Sequence, residues 1–296
     1  MLEFRHILFP TDFSEQCKAF RKQIQFVGRA FNARVTVLHV VPVMSGGEYG
    51  DLAGMFPTAG DFAAVEEKMG SLLIDFSPDQ EFAGIPEFTR EVSLGDPAVV
   101  IADYAINRKV DLIMMPTHGY GRFRSLLMGS VASKVLHDAE CPVWTAAHGA
   151  PHGEGPDPKS HVGVKNIIAG LDLAKGQLDA IGAAGDLARK FDASVRLVHA
   201  VPAAEHVPGD TGGDEFGQFL IKAAREHIER LQAKTGTTFD VAVEPGDVAS
   251  VIRKTALRTN SDLVVLGRGV VHAPLGRLRS KAYEIIRESP CPVLSL

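Results

Sequence analysis

The sequence has little cysteine and no long apolar run, and both shortages limit what the protein can be. Its 296 residues include three cysteines, Cys17, Cys141 and Cys291, and none of them belongs to a Cys-x-x-Cys pair. We interpret Cys141 and Cys291, which each precede a proline, as small apolar residues at strand starts. No apolar stretch approaches the roughly 20 residues that a membrane-spanning helix needs. We therefore predict no metal site and no membrane association.

An excess of basic charge and a secretory leader are missing as well. The formal net charge is −5, whereas proteins that bind nucleic acids without sequence preference need a concentrated basic surface. The first residues do not show the basic and then apolar organisation of a signal peptide. Hydrophobic residues make up 45% of the chain and charged residues 23%, a balance typical of globular proteins. We expect a cytoplasmic protein that binds no nucleic acid.

The chain contains an internal duplication. Residues 31–42 recur as 191–202, with six of 12 positions identical at an offset of 160. Further landmarks keep their order at offsets of 151 and 150: Gly95-Asp96 recurs as Gly246-Asp247, and Cys141-Pro142-Val143 recurs as Cys291-Pro292-Val293. We predict two domains, 1–147 and 162–296, joined by a linker rich in Gly and Pro over 148–161.

Each copy alternates apolar, β-branched segments with amphipathic segments. The predicted strands of the first copy are 4–9, 34–41, 88–93, 111–116 and 142–146, and its predicted helices are 14–31, 60–76, 97–108 and 125–138. The second copy repeats this order, with strands at 164–171, 194–201, 239–244, 262–267 and 292–295 and helices at 176–191, 215–234, 247–259 and 277–288. The alternation predicts an α/β fold with a parallel sheet and helices on both faces. Gly-rich inserts near 44–60 and 203–217 predict loops.

Ligands of open parallel sheets bind beyond the carboxyl ends of the strands, so the loops after strands hold the candidate functional residues. Asp12 follows the first strand and can accept a hydrogen bond from a ribose hydroxyl. With Glu15 it is equally consistent with a capping box for the next helix. In the loop 114–131, glycines allow close approach of a ligand, and Gly129-Ser130 opens a helix whose free N–H groups suit an anion. Ser130 is also consistent with an ordinary N-cap.

The sequence lacks other common nucleotide-binding and catalytic motifs. Gly119-Tyr120-Gly121 continues to Arg124 where a dinucleotide fingerprint needs glycine, and no P-loop motif occurs. Neither Gly-x-Ser-x-Gly nor His-Glu-x-x-His is present. We predict no catalytic residues and interpret His39 and His199, at matching strand positions, as structural.

These residues resemble the universal stress protein family over nearly the whole chain outside the linker. The marks that carry the resemblance are Asp12, Leu38-His39-Val40-Val41, Gly95-Asp96-Pro97, Asp111-Leu112-Ile113-Met114, the glycine loop and Cys141-Pro142-Val143. The resemblance implies two tandem open five-stranded parallel sheets of strand order 3-2-1-4-5. It also implies dimer formation and, for one branch, ATP binding through Gly-x2-Gly-x9-Gly-Ser/Thr.

The resemblance implies roles for particular residues of the first copy. Asp12 would contact ribose or adenine, and the Val40 backbone would contact the adenine edge. Gly119 and Gly129 would pass close to the phosphates, and Ser130 with the Val131 amide would hold the terminal one. The complete predicted nucleotide-binding set is Pro10, Thr11, Asp12, Val40, Met115, Pro116, Thr117, His118, Gly119, Arg122, Gly129, Ser130 and Val131.

Two departures from the family pattern matter. Pro116 takes the place of the first glycine and has no N–H, so a contact there would come from its carbonyl or from Thr117 and His118. In the second copy, Arg279 stands where the third glycine belongs. We expect this copy to have a degenerate site, with Asp172 serving only as a helix cap.

We predict a cytoplasmic stress-response regulator that binds ATP or AMP in the first domain, with Mg²⁺ as a candidate companion ion and at most slow ATP hydrolysis. The alternative is a nucleotide-free interaction scaffold that acts through an unidentified protein partner. In that alternative the two copies assemble as an internal pseudo-dimer, or two chains assemble as a homodimer.

Overall fold

A computed structural model describes residues 1–42, 62–117, 128–147, 163–173, 177–203, 212–267 and 280–296. The predicted linker 148–161, the insert 44–60 and three predicted site residues, His118, Gly119 and Arg122, lie outside the described residues. The chain divides into two compact units, one made mainly of residues 3–143 and the other mainly of 144–296.

The first half alternates strand and helix in its described residues. Its strands are β1 (His6–Pro10), β2 (Arg34–Val41), β3 (Phe88–Leu94), β4 (Leu112–Met115) and β5 (Val143–Thr145). Its helices are α1 (Glu15–Phe31), α2 (Phe62–Phe76), α3 (Pro97–Asn107) and α4 (Ser130–Asp138). The strand order is β3-β2-β1-β4-β5, and β1 pairs in parallel with both β2 and β4.

The second half repeats this architecture. Its strands are β6 (Asn166–Leu171), β7 (Ser194–Val201), β8 (Asp240–Pro245), β9 (Leu263–Leu266) and β10 (Val293–Ser295). Its helices are α5 (Gln177–Phe191), α6 (Gly212–Thr235), α7 (Val248–Arg258) and α8 (Ser280–Glu288). The order is β8-β7-β6-β9-β10. The predicted α/β fold with strand order 3-2-1-4-5 is therefore confirmed.

The central strands are buried because helices cover both faces of the sheet. All residues of β1 and β4 are buried, as expected for parallel strands inside an α/β protein. On β3, Arg90 donates to the Ser77 carbonyl at the end of α2, whereas Glu91 accepts from Tyr104 of α3. Adjacent residues of a strand point to opposite faces, so α2 and α3 lie on opposite sides of the sheet.

Several predicted helix boundaries differ from the observed ones, and the starts of α4 and α6 are two examples. α4 begins at Ser130 rather than at 125, since residues 128–129 are not helical. α6 begins at Gly212, three residues before the predicted start and inside the predicted insert. Glycine is tolerated at a helix N-terminus more readily than in its interior, which is why a Gly-rich stretch did not mark a loop here.

Backbone turns recur between the halves even where the residues differ. Four pairs at matching positions share a positive φ: Phe13 at 64° with Leu173 at 58°, Asn32 at 51° with Asp192 at 52°, Lys109 at 52° with Asn260 at 47°, and Gly95 at 137° with Gly246 at 142°. Such conformations are uncommon for residues other than glycine. The duplication therefore extends to the geometry of the turns.

Candidate functional site at the carboxyl edge of the first sheet

The candidate site lies where β2, β1 and β4 end side by side. The registers of the β1–β2 and β1–β4 pairings bring Asp12, Val40 and Thr117 to one level, which lies beyond the ends of β1 and β4 and within the last residues of β2. Neighbouring strands are about 4.8 Å apart, so Val40 and Thr117 each lie about one strand spacing from Asp12. The strand order reverses here, because β2 lies on one side of β1 and β4 on the other. Open α/β sheets bind their ligands at such a point.

Asp12 is held by the turn between β1 and α1. Its Oδ1 accepts the Ser14 backbone N–H at 2.9 Å and the Cys17 thiol at 3.2 Å. Burial raises the pKa of Cys17 to about 12, so the thiol keeps its proton and remains a donor. The N-cap of α1 is Ser14, whose hydroxyl accepts the Cys17 N–H at 3.3 Å. The interpretation of Asp12 with Glu15 as a capping box is therefore wrong.

Phe13 gives this turn its shape. It has a left-handed φ of 64°, which is costly for a bulky residue and requires support from its surroundings. Its N–H donates to the Thr11 hydroxyl at 3.0 Å. Its ring packs on the His39 imidazole, with centroids 4.4 Å apart, and on Phe76 at 5.5 Å. These contacts fix the direction of the Asp12 side chain that precedes it.

His39 ties the turn to β2. Its Nδ1 lies 2.8 Å from the Thr11 carbonyl oxygen, which can only accept, so Nδ1 carries a proton. Burial lowers the pKa of His39, and its ring is neutral at neutral pH. Its structural interpretation agrees with these contacts. No sequence motif identified Phe13 or Cys17, although Asp-x-Ser is a spacing typical of an Asx turn.

The backbone of Val40 faces the same edge. In β2, the Leu38 carbonyl accepts the Thr11 N–H at 2.9 Å, whereas the Val41 carbonyl accepts the Gly95 N–H at 3.1 Å. Successive residues of a parallel strand direct their backbone groups to opposite neighbours. Val40 therefore faces the β1 side, as Leu38 does, one step beyond the last bond between the strands.

A backbone hydrogen bond joins the two described ends of the second candidate loop. The Gly129 N–H donates to the Thr117 carbonyl at 2.9 Å, which places the start of α4 beside the level of Asp12. The same bond uses the Gly129 amide that was expected near a phosphate, and Pro116 has no amide to offer. Most of the remaining site residues are buried at this edge: Pro10, Thr11, Met115, Pro116 and Thr117.

α4 begins without a side-chain cap. Gly129 is its N-cap, with φ −60° and ψ 144°, and no side-chain cap bond is formed. Ser130 is the first helical residue and is exposed, so its interpretation as the N-cap is wrong. The N–H groups of Ser130, Val131 and Ala132 have no partner within the helix. Together with the positive end of the helix dipole they form a candidate anion site.

Other helices of the chain have a polar N-cap. Ser14 caps α1, Asp96 caps α3 through the N–H groups of Ala98 and Val99, and Asp247 caps α7. The backbone N–H of Val99 and the nearby Lys134 ammonium lower the pKa of Asp96. The start of α4 differs from these because glycine has no side chain with which to cap.

The second half keeps the turn but changes the start of the last helix. His199 Nδ1 lies 2.7 Å from the Leu171 carbonyl, as His39 lies from Thr11 in the first half. In the first turn of α8, the position that matches Val131 is Lys281, whose Nζ bonds Asp247 at 2.7 Å and Glu284 at 2.9 Å. Arg279, directly before α8, lies outside the described residues.

The described ranges lack two kinds of feature. They contain no group of three or more His, Cys, Asp or Glu side chains placed to hold a metal ion. Among the helices that the structure describes, none combines the length and the apolar character needed to span a bilayer.

Fold and site together define an open parallel α/β protein, built twice, with its candidate site at a reversal of strand order. The chain belongs to the universal stress protein family, whose sequence model matches residues 3–146 and 163–296. The two matches also agree with a tandem repeat.

Several known proteins are similar to parts or all of this chain. A universal stress protein of Methanocaldococcus jannaschii is 30% identical over 144 residues, which are 47% of this chain and 80% of the relative. The crystal structure of a universal stress protein from Archaeoglobus fulgidus aligns with 100% of this chain and 97% of its own, at 22% identity and a TM-score of 0.69, and has the same fold. A universal stress protein solved in complex with cAMP aligns with 45% of this chain and 97% of its own, at 25% identity and a TM-score of 0.33.

Proposed function

We propose that the first half binds an adenine nucleotide, ATP or AMP, between the Asp12 turn and the start of α4. The observation that carries this proposal is the hydrogen bond from the Gly129 N–H to the Thr117 carbonyl at 2.9 Å. It brings an uncapped helix N-terminus to the level that Asp12 and Val40 share. Groups suited to a base, a ribose and a phosphate thus meet at one edge.

Asp12 and Val40 would hold the nucleoside. Oδ1 of Asp12 is used by Ser14 and Cys17, which leaves Oδ2 to accept from a ribose hydroxyl. The Val40 N–H and C=O, directed to the same side, offer one donor and one acceptor to the edge of an adenine ring. The contacts of Oδ1 would hold the carboxylate in place while Oδ2 binds the ligand.

The first turn of α4 would hold a phosphate. An anion at a helix N-terminus gains about 0.3–1 kcal/mol from the dipole, in addition to its hydrogen bonds with free amides. Ser130 adds an exposed hydroxyl at this end. Mg²⁺ would be bound mainly through the phosphates, since this ion keeps several waters and needs few protein ligands.

The biological role that we propose is regulation of a stress response in the cytoplasm. Hydrolysis would be slow at most, because the sequence shows no residue evidently placed as a general base for the attacking water. In this proposal the second domain, 162–296, carries a degenerate site, and residues 1–147 form the nucleotide-binding domain.

Equilibrium dialysis of the full chain against labelled ATP and AMP, with and without Mg²⁺, tests the proposal. Gly129→Asp is the decisive variant, because φ −60° and ψ 144° suit any residue and the new carboxylate would cap α4 while repelling phosphate. Gly129→Asn is the matched neutral control, since it caps with the same shape. We expect Gly129→Asp to bind at least tenfold more weakly than Gly129→Asn. Absence of saturable binding by the unaltered chain at millimolar nucleotide would refute the proposal.

A second candidate function is the nucleotide-free scaffold, acting through a protein partner and through pairing of the halves or of two chains. The observation in its favour is that neither Pro116 nor Gly129 has an amide to offer a phosphate. The same variants separate the candidates. If Gly129→Asp retains the biological activity of the folded chain, the scaffold is favoured.

A further inference from the structure

A cavity of about 260 Å³ opens along β8 in the second half. It is lined by Arg196 of β7, Arg225 of α6 and five consecutive residues of β8: Asp240, Val241, Ala242, Val243 and Glu244. Consecutive side chains of a strand point to opposite faces. A cavity lined by consecutive residues therefore opens along the edge of the strand and not on one face of the sheet.

β8 is a terminal strand. It ends the order β8-β7-β6-β9-β10, and within the described ranges no strand lies beyond it. The Gly246 N–H donates to the Val201 carbonyl of β7 at 2.9 Å, which fixes the direction of the backbone groups before it. Val241 and Val243 therefore direct their N–H and C=O groups outward. Such groups are a template for another extended chain.

Among the described residues, two arginines near this edge are paired with acidic side chains, and a third is not. Arg196 pairs with Asp240 at 3.2 Å, and Arg258 of α7 pairs with Glu244. Arg225 is exposed, and its one hydrogen bond among the described residues goes to the Val241 carbonyl at 3.4 Å. The α6 side of the edge thus presents a cation that no acidic side chain of the described chain neutralises.

The corresponding edge of the first half is different. Arg90 of β3 stands at the position of Val241, and its guanidinium donates to the Ser77 carbonyl at 3.1 Å. It also pairs with Asp79 at 2.6 Å and lies 4.6 Å from the centre of the Phe88 ring. The first half therefore pairs the cation of its edge strand with Asp79, whereas Arg225 beside β8 forms no ion pair with a described acidic side chain.

We infer that β8 binds an extended peptide segment of a partner protein as an additional strand, and that Arg225 selects a segment with Asp or Glu on the α6 side. Val241, which is half-buried, would contact a β-branched side chain of that segment. The cavity is smaller than the roughly 300–1,000 Å³ of small-molecule sites, which favours one or two side chains of a peptide over a cofactor. This inference is independent of the nucleotide site.

The test is fluorescence anisotropy with the full chain and a labelled hexapeptide, Thr-Val-Glu-Val-Thr-Val, acetylated at its N-terminus. Two further probes are the same peptide with Lys in place of Glu and the same peptide N-methylated at alternate residues. We expect saturable binding of the Glu peptide, about tenfold weaker binding of the Lys peptide, and none of the methylated one, because methylation removes the donors of a new strand.

Arg225→Gln should weaken binding of the Glu peptide about tenfold and abolish the preference for Glu over Lys. Arg230→Gln is the matched control, because Arg230 is also exposed but lies about 140° further around the helix axis. Both variants should bind ATP as the unaltered chain does. Equal binding of methylated and unmethylated peptides, or no saturable binding, would overturn the inference. Sedimentation showing a chain dimer that the Glu peptide dissociates would assign the edge to a second copy and overturn the partner assignment.

Discussion

The two halves of the chain form the same turn after their first strand and differ where the last helix begins. In each half a histidine Nδ1 bonds the carbonyl at the end of that strand, at 2.8 Å for His39 and 2.7 Å for His199. The residue after the aspartate is left-handed in both halves, Phe13 in one and Leu173 in the other. At the helix start, glycine precedes α4 whereas Arg279 precedes α8.

The shared turn and the differing helix start have different origins. A turn that recurs with different side chains is required by the fold, because the chain must leave a buried strand and enter a helix within a few residues. The uncapped start of α4 is not required by the fold, since a capped helix would be more stable. In the proposed function, the start of α4 is therefore the feature that would serve the ligand.

The largest expected effect concerns the core, where the halves fill one position differently. Phe9 is fully buried between Phe20 and Phe76, at centroid distances of 6.5 and 6.1 Å, and the matching residue is Ala169. We expect Phe9→Ala to reduce the free energy of unfolding of the first half by about 3–5 kcal/mol, through lost burial and a cavity. Urea denaturation followed by circular dichroism measures it. Leu72→Ala, at a 42% exposed position, is the control, and an equal effect of both would contradict the account.

The second largest expected effect concerns the residue that precedes the last helix of each half. Gly129→Arg copies the second half into the first, and we expect nucleotide affinity to fall about 100-fold, or roughly 2.7 kcal/mol. The arginine side chain would occupy the space of the phosphate without straining the backbone. Titration calorimetry with ATP measures the change. An unaltered affinity in a variant with unaltered thermal stability would show that the phosphate does not lie there.

The histidines test whether the turn is structural in both halves. His39→Leu and His199→Leu each leave a strand-end carbonyl without its donor, and we expect each to cost about 1–3 kcal/mol of stability. Of the two, His39→Leu alone should also weaken nucleotide binding, because it frees the Asp12 turn. Paired denaturation and ATP titrations check this. A loss of affinity in the His199 variant would show that the second half contributes to binding.

The smallest effect is a dependence on pH that originates at His6. Burial and the nearby Arg34 guanidinium, 3.0 Å from Nδ1, lower the pKa of His6. The Arg108 carbonyl, 3.3 Å from Nδ1, opposes this, as do Asp111 and Glu87. The neutral ring is preferred in the folded state, so its stabilisation is complete above the unfolded pKa of about 6.5 and is lost as the pH falls below it. His6→Asn copies Asn166 of the second half and should flatten the stability profile between pH 7 and 5. Thermal melts across this range measure it, and an unchanged slope would exclude His6 as the source.

Much of the fold followed from local patterns. The strand and helix ranges agree with the structure within a few residues, because strands buried on both faces are short, continuous apolar runs and the covering helices repeat their apolar residues about every 3.6 positions. The register that brings Asp12 and Thr117 together was not predictable in the same way, since it depends on pairing between residues more than 100 positions apart. The capping interpretation of Asp12 failed for a similar reason: Ser14 and Asp12 are both suitable caps by type, and the left-handed Phe13 between them decides which one reaches the helix.

The sequence alone determined the duplication, the α/β class, the family resemblance and the loops in which a ligand site is expected, because these depend on composition, period and order along the chain. The tertiary structure decided that Gly129 gives its amide to Thr117, that α4 starts without a cap, and that Arg225 stands without an acidic partner at an open edge among the described residues. Each of these is a question of which donor meets which acceptor. That choice is made by strand neighbours and helix packing brought together from distant parts of the chain.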